Sequence, residues 1–168
     1  MSDKKSLVAY FSRAGQNYVS GSIVDLPMGN SRLAAEAIAD EVGADLFEIE
    51  TVESYPADYT ACTEVAAAEK SAGARSELAG YVDTDPYDVI CYPNWWGNCP
   101  MAVLAFLERH DLSGKAVRPL CTNEGSGMGS SERDIRRAAP EAVVGEGLAV
   151  TGGSVASSLG AIRRWASE

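Results

Sequence analysis

The sequence predicts an α/β chain: an open parallel sheet with helices on both faces. Three observations lead there. Short apolar runs without alternation, such as Leu7–Phe11 and Val89-Ile90-Cys91, read as strands buried on both sides. Strand-like and helix-like stretches alternate five times along the chain, the pattern of a parallel sheet joined by helical crossovers. The 168 residues contain neither an internal repeat nor a linker, so a single domain over residues 1–168 is expected.

The first strand, Ser6–Phe11, empties into the polar, glycine-bearing turn Ser12–Asn17. Connections as long as the one that follows are functional or disordered. Tyr18–Met28 carries Tyr18, Val19, Ile23, Val24 and Leu26, so an irregular but packed insertion is expected. Leu33, Ala34, Ala37, Ile38 and Val42 recur at helical spacing, giving a helix from about Ser31 to Val42 with Gly43 as its stop. Asp45–Thr51 alternates and reads as a second strand nearer the sheet edge. An alanine-rich helix then runs from Thr60 to about Leu78.

The third strand covers Asp88–Tyr92. Pro93 is expected to stop it, and Pro100 to open the helix Met101–His110. Lys115–Thr122 is the fourth strand, with an irregularity at Pro119. After the Gly/Ser loop Asn123–Ser130, Ser131-x-x-Asp134 marks a helix start and Pro140 its end. Val143–Val150 is the fifth strand, interrupted at Gly145 and Gly147. Val155, Leu159, Ile162 and Trp165 mark the closing helix, where Arg163 and Arg164 suit the C-terminal dipole.

Charge narrows the partners. Twenty-four acids against 14 Lys plus Arg give a formal net charge of −10, so the basic footprint of a nucleic-acid binder is missing. The surplus favours either a partner with a basic docking face or simple solubility. Cys62, Cys91, Cys99 and Cys121 form no Cys-x-x-Cys pair or metal spacing, and one histidine, His110, leaves little for a zinc site or a histidine triad. The apolar run after Met1–Lys5 is too short for a signal peptide or a membrane span. A reducing, cytoplasmic setting is expected, with no metal, no membrane association and a monomeric chain.

Several α/β chemistries are excluded by motif. Gly-x-x-x-x-Gly-Lys-Ser/Thr is missing, as is the Gly-x-Ser-x-Gly of an α/β hydrolase. A phospho-aspartate receiver needs carboxylates where this chain has Ser12-Arg13 and Pro93-Asn94. Gly125-x-Gly127-x-Gly129 has the wrong spacing for a dinucleotide fingerprint and follows the fourth strand, not the first. Its glycines instead let backbone approach something closely.

In open parallel sheets ligands bind beyond the carboxyl ends of the strands. Here those ends are Ser12–Asn17, Pro93–Gly97 and Thr122–Ser130. Trp95 and Trp96 are neighbours, and adjacent side chains on an extended segment point apart, so at least one stands at the surface as a rigid aromatic plate. Ser12 and Gly29-Asn30-Ser31 bracket a helix N-terminus with hydroxyl and amide donors. Alone they would read as an ordinary cap. Beside the tryptophan pair they read as a phosphate site. A flat heterocycle with one terminal phosphate and no second nucleotide is FMN.

Nearly the whole chain also resembles the flavodoxins, in particular a bacterial branch with an extended phosphate-binding loop. The resemblance rests on Tyr10-Phe11-Ser12-Arg13, Gly29-Asn30-Ser31, Pro93-Asn94-Trp95-Trp96-Gly97 and Cys121–Gly127. It implies a flavodoxin-like three-layer sandwich with a five-stranded parallel sheet of order 2-1-3-4-5, the order general to that fold. By position it implies that Ser12, Asn30 and Ser31 bind the phosphate. Pro93, Asn94, Trp95, Trp96 and Gly97 would border the isoalloxazine ring, and Thr122, Asn123, Glu124, Gly125 and Ser126 its far edge. Ala14–Met28 splits the phosphate loop, so Arg13, Gln16 and Asn17 either reach the phosphate or ribityl chain or support the insertion.

The resemblance further implies one-electron transfer between redox partner proteins at low potential, with the chemistry supplied by the cofactor. One negative charge ~10 Å away at a dielectric of 80 opposes added charge on the ring by about 0.4 kcal/mol, or roughly 20 mV. Gly97, lacking a Cβ, either turns its carbonyl toward flavin N5 or serves only as a turn residue. Glu124 either tunes the ring or caps its loop, Cys99 packs, and His110 is structural. Two other functions use the same fold: an NAD(P)H-dependent quinone or FMN reductase, and a scaffold without redox work.

Overall fold

The computed structural model describes residues 5–87, 89–95 and 99–168, with 89–95 described by backbone alone. In chain order the elements are β1 (Ser6–Tyr10), β2 (Gly15–Val19), β3 (Ser22–Leu26), α1 (Asn30–Val42), β4 (Asp45–Glu48) and α2 (Tyr59–Ala72). They continue with β5 (Val89–Trp95), α3 (Met101–Arg109), β6 (Ala116–Asn123), α4 (Ser131–Ala138), β7 (Val143–Val144), β8 (Leu148–Thr151) and α5 (Leu159–Ser167). A 3₁₀ turn, Gly152–Ser154, follows β8.

The main sheet is parallel and runs β4-β1-β5-β6-β7, with β8 also pairing β6. It thus has six strands where five were expected, because the stretch holding Gly145 and Gly147 divides the last one into β7 and β8. β1 explains why its sequence is apolar throughout. Leu7, Ala9 and Phe11 face one core with Val103, Phe106 and Ile135 from α3 and α4. Val8 and Tyr10 face a second core with Ala34, Ile38 and Ile162 from α1 and α5. A period of two with both faces covered makes every position a burial position. β4 is the edge, and Leu46 there is 46% exposed.

Helix ends follow local chemistry. α1 stops at Gly43, whose φ of 64° is a left-handed conformation that glycine adopts without penalty. α2 opens one residue before the expected Thr60, because Asp58 Oδ1 accepts the Ala61 N–H at 2.8 Å. It ends at Ala72, short of the expected Leu78, since Gly73 takes the same left-handed cap. Leu78 lies instead in an antiparallel bridge with Thr51 and packs in the core. At α4 the residue before the helix is Ser130, not Ser131. Its hydroxyl bonds Asp134 Oδ2 at 2.7 Å, while Ser131 is fully buried. Arg164 lies in the last turn of α5, as the dipole reading expects, and the last carbonyls are held by Arg118 of β6. Arg118 donates to Ala166 O (3.0 Å) and Trp165 O (2.5 Å) and lies over the Trp165 ring.

Two prolines sit inside strands. Pro93 does not stop β5, which continues to Trp95. Pairing with β1 ends at Cys91, so among the described residues β5 is paired beyond it with β6 alone, and a residue without an N–H is tolerated on a strand with one open side. Pro119 falls where the neighbour of β6 changes from β7, paired to Val117, to β8, paired from Leu120 onward.

Tyr18–Met28, expected to be irregular, is largely a β-hairpin. β2 and β3 pair antiparallel with Tyr18 opposite Ile23. Ser20 (φ 50°) and Gly21 (φ 90°) form the two-residue turn, and positive φ at both positions is the geometry that matches strand twist.

Candidate functional site

A cavity of about 300 Å³ opens at the carboxyl ends of β1 and β6. Of the residues singled out from sequence, Ser12, Arg13, Asn17, Asn30, Ser31, Thr122, Asn123, Glu124 and Ser126 line it. Gly125 does not, although its neighbours do. Tyr18, Tyr59 and Gly152 line it too and were not foreseen. They arrive from the hairpin, from the start of α2 and from the turn after β8. The pair Gly152-Gly153 directly after the last strand was the available signal for one of them.

Each side chain has a definite task. Ser12 Oγ accepts the Arg32 N–H at 3.1 Å, capping the first turn of α1 from β1's end and leaving its own O–H to donate. The helix's own cap position is Gly29, which provides no side-chain bond. A Cβ there would lie 2.2 Å from Ser12 Oγ and 2.6 Å from Arg13 O, so only glycine lets the two segments meet. Ser31 Oγ and Thr122 Oγ1 are 2.9 Å apart and buried, joining α1 to β6 under the cavity.

Asn123 organises the glycine loop. Its Oδ1 accepts the N–H groups of Gly125 (2.9 Å) and Gly127 (3.1 Å), and its Nδ2 donates to Val150 O (3.2 Å). Asn17 Nδ2 donates to Arg13 O (3.0 Å) and Gly15 O (3.1 Å), so its amide supports the root of the hairpin. Gln16 Oε1 accepts the Tyr59 N–H at 2.8 Å, and the Tyr18 and Tyr59 rings stack at 6.2 Å. The Glu124 carboxylate accepts the N–H of Ser20 and of Gly153, both at 3.0 Å.

Arg13 stands between this cavity and an adjoining hollow of about 270 Å³ beside Glu48, Tyr55 and Ala57. Its Nη2 donates to Ala57 O at 2.6 Å, while Nε and Nη1 are buried without an oxygen or nitrogen partner among the described residues. Burial pushes the Cys62 thiol up, with Arg13 pulling the other way. Burial also raises the Tyr59 phenol, Tyr18 adding to the effect. No group of three or more metal-ligating side chains occurs among the described residues.

Pro93, Asn94 and Trp95 pair with Leu120, Cys121 and Thr122, which brings the end of β5 beside a residue lining the cavity. Trp96 and Gly97, expected to border a planar ring, lie outside the described residues.

A family model described as flavodoxin matches residues 5–167. Among solved structures the chain is similar to a protein assigned as a flavoprotein from Bacteroides uniformis, at 25% identity and TM-score 0.73, covering 98% of this chain and 99% of that one. A second, from Bacteroides eggerthii and also assigned as a flavoprotein, is 26% identical with TM-score 0.71, covering 94% and 97%. A flavoprotein from Lactobacillus acidophilus, crystallised in complex with FMN, shares the fold at 19% identity and TM-score 0.65, covering 92% and 97%. No curated protein matches the sequence.

Proposed function

The chain belongs to the flavodoxin family, and from that premise we propose that its cavity holds FMN and that the loaded protein carries single electrons between redox proteins. The observation that carries this reading is a donor-rich pocket at a helix N-terminus. Ser12, Asn30 and Ser31 meet there beside the half-buried Arg13, whose Nε and Nη1 have no oxygen or nitrogen partner among the described residues. Such a set fits a phosphate monoester, because α1 offers backbone amides and a dipole that favour an anion. Arg13 adds the charge that a buried phosphate needs. Gly152 fits the same group, since a Cβ there would lie 2.6 Å from Glu124 Oε1 and 2.8 Å from Asn30 Nδ2 in the cavity wall.

In this reading Ser12, Arg13, Asn30 and Ser31 hold the phosphate and Asn17 steadies the loop that carries Arg13. Pro93, Asn94, Trp95, Trp96 and Gly97 border the ring on one side, and Thr122, Asn123, Glu124, Gly125 and Ser126 on the other. Bound FMN supplies one-electron chemistry through its isoalloxazine ring. The protein's share is to bind the phosphate, orient the ring between the β5 and β6 ends and limit water around it. A net charge of −10 supports partners with basic docking faces, steered by long-range attraction that weakens as salt rises. It disfavours docking of a nicotinamide phosphate, and so favours a carrier over a reductase.

Titration with FMN tests the reading. Saturable binding at one site per chain, with a shift of the flavin absorption bands, is expected. No heat of association and an unshifted spectrum would overturn it. Steady NADH or NADPH oxidation by the loaded protein with a quinone acceptor would favour the reductase.

A further inference from the structure

We infer that Glu124 is a positioning residue, whose carboxylate latches the hairpin β2–β3 over the cavity and so governs how fast a bound flavin leaves. This rests on the reading that the cavity takes FMN.

The hairpin is attached at its root and at its tip, and the two attachments differ in kind. At the root, β2 follows directly from β1 through Arg13, with Asn17 and Gln16 bonded to nearby backbone. At the tip, Glu124 provides both polar links that the described residues give across to the far wall. One oxygen takes the N–H of Ser20, 104 residues earlier, and the other takes the N–H of Gly153, 29 residues later. One side chain from the end of β6 therefore closes a bridge between the hairpin turn and the turn after β8. The two segments also touch directly, since a Cβ on Gly153 would come 2.6 Å from Ser20 Oγ and 3.2 Å from Val19 Cγ1.

Tyr18 and Asn17 on the hairpin, Glu124 itself and Gly152 all line the cavity, so the bridge joins two parts of its wall. Ser20 carries a positive φ, a conformation that is strained for a non-glycine residue. Its N–H nevertheless has a charged acceptor waiting. Hydrogen bonds to a carboxylate are about twice as strong as neutral ones. Without Glu124 the tip keeps its ladder but loses its fastening, and the hairpin can swing on its root as a unit.

The first arm measures release of FMN from the loaded protein by fluorescence after dilution. Glu124→Ala should release it about tenfold faster than the parent, a change within the strength of one charged hydrogen bond. Glu124→Gln should fall between, because its amide keeps one acceptor oxygen but sets an NH₂ group against the second N–H. The second arm needs no ligand. Amide hydrogen exchange at Ser20 and Gly153 of the apo chain should quicken by about tenfold in Glu124→Ala, while the ladder amides of the hairpin and those of α1 exchange as in the parent.

The third arm restores the fastening by other means. A Cβ on Gly153 lies 4.0 Å from Ser20 Cβ, within the range of disulfides. Ser20→Cys with Gly153→Cys, made in the Glu124→Ala background, should release FMN slowly when oxidised and quickly when reduced. Release and exchange unchanged in Glu124→Ala would overturn the latch. So would fast release that persists with the disulfide closed, since Glu124 would then act on the ligand directly. If the parent protein takes up no FMN, the proposed function falls and the exchange arm still decides the latch.

Discussion

The two walls of the cavity are built on opposite plans. The hairpin β2–β3 satisfies its own backbone through a five-pair ladder and meets the rest of the molecule through few side chains. The loop after β6 has no ladder. Gly125, Gly127 and Gly129 all have positive φ, and the curve they trace is held by one amide, Asn123, bonded to Gly125, Gly127 and Val150. The first wall is a rigid piece that can move. The second is a fixed surface that can lose its shape. Ligand affinity should therefore fail differently when each is damaged: through release rate for the hairpin, through loss of the bound geometry for the loop.

The largest effect is expected beneath both walls. Gly29→Ala places a methyl group 2.2 Å from Ser12 Oγ. The loop at the end of β1 must then leave α1, at about 3 kcal/mol or more, with FMN uptake lost. Calorimetry of unfolding and of binding would check both. Asn123→Ala removes three hydrogen bonds at buried or half-buried groups and should destabilise by about 2–3 kcal/mol in a denaturant titration. Its affinity loss should lie mainly outside the release rate. Gln16→Ala removes the side-chain acceptor of the Tyr59 N–H and loosens only the hairpin root, about 1 kcal/mol, with faster FMN release as its main sign.

The smallest effect belongs to a site remote from either wall. Asp45, at the start of β4, accepts a 2.7 Å bond from the Tyr87 hydroxyl and pairs with Lys5. The Tyr87 bond first, then Lys5, hold its carboxyl below the usual aspartate value. A depressed carboxyl stabilises the fold above its unfolded pKa, and that contribution is lost as pH falls through the folded one. Tyr87→Phe should raise the Asp45 titration midpoint, seen by NMR, and leave FMN affinity at neutral pH unchanged.

The same contrast marks what could be read from sequence. β1, α1 with its Gly43 stop, α3 and β6 were legible because burial on one stripe or on both faces writes itself into spacing. The hairpin was not. A two-stranded ribbon whose Tyr18 and Ile23 remain 43% and 51% exposed needs no continuous apolar face, and Ser20-Gly21 is not among the usual turn pairs. The site divides similarly. Ser12, Asn30, Ser31 and Thr122–Glu124 stand at strand ends or a helix start, where position alone suggests contact with a ligand. Tyr59 reaches the cavity by tertiary folding, with no local pattern to announce it, and Gly152 is marked only by the Gly152-Gly153 pair after the last strand. Pro93 misled because its effect depends on whether a neighbouring strand is still paired there, which sequence does not record.

The short edge strand β4 has a consequence for crowded solutions. Among the described residues its outer side has no strand partner, an invitation to sheet-to-sheet growth. Asp45 and Glu48 at its two ends, with Glu50 just beyond, would oppose their own images if another copy aligned there. Electrostatic repulsion at that rim would oppose such growth.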